Sequence, residues 1–170
     1  MGQRLLGIYL RDHYAASAAG LDLARRLARE NASTPFGGDL AGLGGEIADD
    51  RATLGAVLRA LAIGPSRVKI VLAKAVERLS RLKPNGHVLH YSPLSRVIEL
   101  ETLAAGIEAK RGLWQALEQA VESGELGLDL DELLRRAEAQ RSVVERLQKQ
   151  AAALAFGSGT PLLAGRLDEP

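Results

Sequence analysis

Apolar residues recur along four long stretches of this chain at alternating steps of three and four, the spacing of one buried helical face. We therefore predict four long helices, at about 2–31, 35–63, 93–123 and 130–156. No stretch alternates apolar and polar residues as a half-buried strand would, so the predicted fold class is all-α. In the first stretch the predicted buried seam is Leu6, Tyr9, His13, Ala16, Gly20, Leu23 and Leu27.

Helix start signals support these bounds. Thr34 followed by Pro35, and Ser92 followed by Pro93, each place a capping hydroxyl before a proline that suits the first helical turn. Asp129, with a glutamate three residues later, fits a capping box at the start of the last helix.

The helices pair into two hairpins joined by a long connection, which predicts a four-helix bundle. The connection contains a shorter helix at about 66–82, which either forms a crossover or lies across the bundle. Its predicted apolar face is Val68, Val71 or Leu72, Ala75, Leu79 and Leu82. We predict one domain at 1–156 and a flexible tail at 157–170.

The amino-acid composition excludes several kinds of functional site and several classes of protein. The chain of 170 residues is 46% hydrophobic and 25% charged, as ordinary soluble globular proteins are. It has no cysteine, which excludes disulfides, thiolate metal sites and cysteine nucleophiles. Arg11, Asp12 and His13 interrupt the apolar run that a signal peptide needs, and no apolar stretch reaches the length of a membrane span. We therefore expect a cytoplasmic protein without a membrane-spanning segment.

Charge is balanced overall but unevenly distributed. Residues 65–96 hold seven basic residues and one acidic residue, a net charge of +6, whereas the rest of the chain holds 15 basic and 20 acidic residues, a net charge of −5. We expect the basic segment to pack its apolar face on the bundle and to meet acids of the same chain or of a second subunit. Nucleic-acid binding is the alternative, and the aromatic content of 4% and the acidic remainder disfavour it.

Polar residues interrupt the apolar seams. Burying such groups is costly unless they pair with each other or bind a metal. Folding each hairpin about its turn brings His13 close to Asp50 and Gln140 close to Glu108. These two pairs would lie within about one helical turn of each other in a simple up-and-down bundle, and about two turns apart with a full-length crossover. We interpret them as one buried polar network that comprises His13, Asp50, Glu108, Lys110, Gln140 and Arg141.

Four stretches place acidic residues beside or on the seams of all four helices: YLRDHYAAS, EIADDRATL, SPLSRVIELETLA and AEAQRSVVE. In this pattern, and in its two hairpins with a long middle connection, the chain resembles the ferritin-like superfamily over residues 1–156. Active members of that family hold two metal ions with one Glu from each of two helices and a Glu-x-x-His pair from each of the other two. The resemblance therefore implies an iron or manganese site, for which the candidate ligands are Asp12, His13, Glu46, Asp49, Asp50, Glu101, Glu108 and Glu138.

The chain departs from the family at both Glu-x-x-His motifs. Asp49 stands where the first histidine is expected, and Arg141, which has no lone pair to offer a metal, stands where the second is expected. We therefore expect a non-catalytic relative in which a buried salt-bridge layer replaces the metal site and no cofactor is bound. The alternatives are an iron or manganese protein with an atypical ligand set, and a helical interaction module that uses residues 65–96.

The C-terminal stretch PLLAGRL follows a Gly/Ser/Pro linker. It is loosely similar to the peptides that dock ferritin-like cargo into encapsulin shells, although Arg166 departs from the small residue usual there. The simpler interpretation is a disordered tail. A homo-oligomer is a further expectation for a bundle of this type.

Overall fold

The computed structural model describes residues 2–64, 91–121 and 126–157. Within these ranges the chain forms four α-helices and no strand. The prediction of an all-α chain with four long helices is thus confirmed. The helix predicted at 66–82, and all of the predicted tail beyond Gly157, lie outside the described residues. The four helices are α1 (Gly2–Glu30), α2 (Gly37–Ala60), α3 (Pro93–Ala120) and α4 (Leu130–Phe156).

Two of the three predicted helix starts are confirmed. The Ser92 side chain accepts a hydrogen bond from the Ser95 amide at 3.0 Å, and Pro93 begins α3. The Asp129 carboxylate accepts one from the Glu132 amide at 2.8 Å at the start of α4. These bonds satisfy amides that have no partner inside the helix.

The start predicted for α2 at Thr34 and Pro35 is wrong, because the helix begins at Gly37 with Phe36 as its N-cap. Thr34 instead holds the preceding turn, where its hydroxyl donates to the Asn31 carbonyl at 2.8 Å. A Cβ on Gly37 would lie 2.7 Å from that same carbonyl oxygen, so the close turn requires a glycine there.

The helices form two hairpins, in which α1 packs on α2 and α3 packs on α4, and α1 also packs on α3. Arg26 of α1 pairs with Glu99 of α3 at 2.8 Å, and Asp39 of α2 pairs with Arg146 of α4 at 2.8 Å. The end of α1 therefore lies beside the start of α3, and the start of α2 lies beside the later half of α4. It follows that α1 and α3 are antiparallel, whereas α2 and α3 are parallel.

This arrangement places the polar seam residues at one level. Because α3 begins level with the α1–α2 turn, Lys110 and Asp50 lie at similar depths below that end and touch each other. The offset of about two turns expected for parallel α2 and α3 is therefore wrong. The apolar core divides into two clusters, one around Leu27, Leu100 and Leu147 and the other around Leu10 and Trp114.

The seam predicted for α1 is only partly buried. Leu23 and Leu27 lie in the core, but Tyr9 and Ala16 are exposed and His13 is half-buried. The buried positions of the first half of α1 are Gly7 and Leu10 instead. At the far end of α4, Leu154 continues the apolar spacing that predicts a seam in the last stretch, but its side chain is also exposed.

Candidate functional site

A cluster of charged and polar side chains lies between the two apolar clusters. We call it the central cluster, and it consists of Asp50, Lys110, Arg136 and Gln140. Lys110 donates to the Asp50 carboxylate and to the Gln140 side-chain carbonyl. Gln140 donates in turn to Asp50 Oδ2 at 3.1 Å, and the Arg136 guanidinium pairs with Asp50 Oδ1. One carboxylate thus engages all three neighbours: Oδ2 accepts hydrogen bonds from Lys110 and Gln140, and Oδ1 forms an ion pair with Arg136.

Helix geometry explains why these residues meet. Arg136 and Gln140 are four residues apart on α4, so they lie on one face of that helix. Asp50 and Lys110 occupy the seam positions of α2 and α3 at the same level. The carboxylate of Asp50 is 2% exposed and Gln140 is 1% exposed, whereas Lys110 is 15% and Arg136 26% exposed. The two cations therefore reach from the edge of the layer to a buried carboxylate.

The electrostatics of the cluster depend on Asp50. Burial lowers the pKa of the Lys110 ammonium, and the Arg136 guanidinium acts in the same direction, whereas the Asp50 carboxylate opposes both. With Lys110 and Arg136 charged, two positive charges face one negative charge and the layer carries a net charge of +1. A buried cation without its carboxylate would be very costly, so Asp50 holds the layer together.

Three members of the predicted network, Asp50, Lys110 and Gln140, lie in the central cluster. The prediction that Glu108 and Arg141 join them is wrong, because both side chains extend toward solvent. Glu108 pairs with Arg111 at 2.6 Å on α3, and Arg141 pairs with Glu138 at 3.1 Å on α4. Each helix turns by about 100° per residue, so a neighbour of an inward residue does not itself point inward.

The predicted hydrogen bond between His13 and Asp50 is absent from the described part of the chain. His13 instead packs edge-on against Tyr9, with ring centroids 4.5 Å apart. Burial lowers the pKa of the His13 imidazole, and the Asp12 carboxylate partly opposes this effect. His13 is therefore a half-buried side chain at the edge of the layer rather than a member of it.

The candidate metal ligands do not converge. Five of the eight are exposed, and in the described ranges no three His, Asp or Glu side chains come close enough to hold a metal ion. Asp50, the one buried carboxylate among them, is already engaged by Lys110 and Arg136. The exposed candidates are Glu46, Asp49, Glu101, Glu108 and Glu138.

Arg136 was not predicted to join the network, because it lies beside the apolar seam of the last helix and not on it. A signal was present: Arg136 is one helical turn before Gln140 on the same face. An arginine whose side chain is 26% exposed can bury its stem and reach an inward carboxylate with its guanidinium.

A cavity of about 500 Å³ adjoins the central cluster. It opens between α1 and α3, where small side chains leave the space between the two helices unfilled, and it reaches inward to Asp50 and Lys110. Trp114 lines it, and the indole Nε1 of this residue has no hydrogen-bond partner among the described residues. The small residues on its walls are Ala16, Ala19, Gly20, Ala105, Gly106 and Ala109.

A second polar cluster closes the end of the bundle that holds the α1–α2 turn. We call it the end cluster, and its members are Arg26, Asn31, Tyr91, Arg96 and Glu99. Asn31 is fully buried and donates to the Leu27 carbonyl at 2.8 Å, while Arg96 Nε donates to Asn31 Oδ1 at 2.6 Å. Burial raises the pKa of the Tyr91 hydroxyl to about 12. The cluster joins α1 to the start of α3.

No family model, curated protein or solved structure matches this chain. No helix in the described ranges is long and apolar enough to cross a membrane.

Proposed function

We propose that this chain is a non-catalytic ferritin-like bundle, in which the central cluster stands where the active relatives hold their two metal ions. The observation that carries the proposal is the Lys110 ammonium, which lies against both the Asp50 carboxylate and the Gln140 carbonyl. It supplies from within the chain the positive charge that a metal would otherwise supply.

The donor set of the central cluster does not fit an iron or manganese ion. Such ions take carboxylate, carbonyl and imidazole ligands, and a di-metal site needs several carboxylates to balance its charge. Here a single carboxylate faces two cationic side chains. A divalent ion would enter a layer whose net charge is already +1, and it would have to displace Lys110.

The ferritin-like part of the proposal is supported by the direction of the helices. Two antiparallel hairpins, with the second helix parallel to the third, require a connection that runs the length of the bundle, as ferritin-like folds have. In this proposal the central cluster acts as a structural layer that fixes the register of α2, α3 and α4.

Metal analysis tests the proposal directly. The full chain would be expressed in medium supplemented with iron and manganese, purified without chelator, and analysed for both elements. We expect well under one equivalent per chain, and the same content in Asp50→Ala as in Asp22→Ala, a control at an exposed acid of α1. Two equivalents per chain that Asp50→Ala loses and Asp22→Ala keeps would contradict it.

A further inference from the structure

The cavity beside the central cluster has the size and the lining of a binding site for a small molecule. Its volume of about 500 Å³ lies within the range of about 300–1,000 Å³ that is usual for ligand pockets. Such pockets combine mostly apolar walls with a few polar groups that orient the ligand. Here most of the lining is alanine, glycine, leucine and isoleucine, and the polar side chains among them are His13, Ser17, Asp50, Arg51, Thr102 and Lys110.

The charged and uncharged parts of the cavity are separated along its length. Counting away from the Arg26–Glu99 pair along the antiparallel α1 and α3 places Ser17 and Lys110 within about one turn of the same level. Arg51 of α2 bonds to Ser17, so it lies at this level too. The half of the cavity nearer to the Arg26–Glu99 pair is lined by uncharged residues: Ala19, Gly20, Leu23, Ile47, Thr102, Leu103 and Gly106.

The charged half carries an excess of positive charge. Lys110 and Arg51 line it, and Asp50 is the one carboxylate among the described lining residues. Arg51 donates to a carbonyl and a hydroxyl oxygen of α1 and lies over the Tyr14 ring, and these partners are uncharged. Asp50 is shared between Lys110 and Arg136. An anion in the cavity would therefore reduce a net positive charge, whereas a cation would add to it.

Lys110 retains a hydrogen-bond donor for such an anion. A lysine ammonium has three N–H donors, and in the described part of the chain Asp50 and Gln140 accept from it. A ligand carboxylate at this position would accept the third bond. Charge-assisted hydrogen bonds of this kind are the strong ones in protein sites.

We propose that this cavity binds a small carboxylate with an apolar body, of the class of medium-chain fatty acids. The carboxylate lies between Lys110 and Arg51, and the alkyl chain lies along the uncharged walls toward Leu23. From Ser17 to Leu23 the axis of α1 advances by about 9 Å, which is comparable with the extended alkyl chain of octanoate. The site goes beyond the structural role proposed above and does not depend on a relation to the ferritin-like superfamily.

Fluorescence titration tests the proposal, because Trp114 lines the cavity and is the only tryptophan of the chain. The full chain, freed of bound lipid, would be titrated with octanoate and separately with octanol, which has the same alkyl chain without the charge. We expect octanoate to give a saturable change with one molecule bound per chain, and octanol to bind at least about tenfold more weakly. Octyltrimethylammonium, which carries a cation instead, should not saturate below about 1 mM.

Filling the uncharged half tests where the ligand lies. A Cβ added at Gly20 or at Gly106 would meet nothing within 4 Å, and leucine favours helix more than glycine does, so Gly20→Leu with Gly106→Leu should fold. The matched control is Gly42→Leu with Gly45→Leu, two helical glycines of α2 that also have open space around them and do not line the cavity. We expect the first pair to weaken octanoate binding at least about tenfold and the control pair to leave it unchanged.

Removing the ammonium tests the charge. Lys110→Met keeps an unbranched side chain but removes the donor, so it should weaken the binding of octanoate and leave that of octanol unchanged. An equal loss for both ligands would instead indicate a change in the shape of the cavity.

Three results would overturn the proposal. The first is equal affinity for octanoate and octanol in the unmodified chain. The second is octanoate binding that the leucine pair in the cavity does not weaken. The third is the absence of saturation by octanoate below about 1 mM, which is also the result expected if a further part of the chain occupies the cavity.

Discussion

The central cluster and the end cluster differ in how their buried polar and charged groups are compensated. Each holds buried polar groups between helices, but the central cluster holds full charges at mid-height around a carboxylate that is 2% exposed. The end cluster is built on the neutral amide of Asn31, and its ion pair lies nearer to solvent, with Arg26 43% and Glu99 16% exposed. At mid-height charge must be balanced inside the protein, whereas at the end water balances part of it.

The largest expected effect follows from removing the carboxylate of the central cluster. Asp50→Asn should lower the free energy of unfolding by about 3–5 kcal/mol, because two cations lose the buried group that compensates them. Urea denaturation of the variant and the unmodified chain at neutral pH measures this difference. A loss under about 1 kcal/mol would mean that water reaches the layer and screens its charges.

Removing the centre of the end cluster should cost less. Asn31→Ala should lower the free energy of unfolding by about 1–3 kcal/mol, because Arg96 Nε loses its buried acceptor and the Leu27 carbonyl loses one of its two donors. The same denaturation experiment measures this value. If Asn31→Ala cost more than Asp50→Asn, the contrast between the two clusters would be reversed.

Replacing the lysine of the central cluster should have a small effect. In Lys110→Met the Asp50 carboxylate keeps Arg136 and Gln140, and one desolvated charge is removed. We therefore expect the free energy of unfolding to change by no more than about 1 kcal/mol, in either direction. A loss as large as that of Asp50→Asn would show that Arg136 does not compensate Asp50 by itself.

Alkaline pH should weaken the end cluster. Burial raises the pKa of Tyr91 to about 12, from an unfolded value of about 10. A pKa raised on folding gives stability that is complete below pH 10 and is lost as the pH rises toward 12. The free energy of unfolding should fall more steeply across this window in the unmodified chain than in Tyr91→Phe. Equal slopes would mean that the hydroxyl is not desolvated.

A smaller pH effect is expected from His13. Burial lowers its pKa, so the stability it contributes is present above the unfolded value of about 6.5 and is lost as the pH falls through the folded value. His13→Gln should therefore flatten the fall in the free energy of unfolding between neutral and mildly acidic pH. A steeper fall in the variant would indicate that the folded protein favours the charged imidazole.

The spacing of apolar positions in the sequence was enough to predict three of the four residues of the central cluster. The fourth residue was identified from contacts between the helices. A seam position faces the core whatever its chemistry, which is why Asp50, Lys110 and Gln140 could be identified from their place in the pattern. Glu108 and Arg141 were misplaced because proximity in sequence was taken for proximity in space. The spacing of Arg136 one turn before Gln140 makes it a candidate, and its contact with Asp50 shows that its long side chain joins the cluster.

The spacing of apolar residues could not predict in which direction each helix runs along the bundle. A seam has the same spacing whether its helix runs up or down the bundle, so only contacts such as Arg26 with Glu99 decide the order. The exposed half of the α1 seam has a related cause. Periodicity identifies an apolar stripe, but it does not tell which element covers that stripe.

A double-mutant cycle between Asp50 and Lys110 tests most directly whether the central cluster is one charge-compensated unit. It compares the free energies of unfolding of the unmodified chain, Asp50→Asn, Lys110→Met and the double variant. We expect Lys110→Met to recover at least about 1 kcal/mol of the loss caused by Asp50→Asn, because it removes one of the stranded cations. Additive losses from the two single changes would contradict the account.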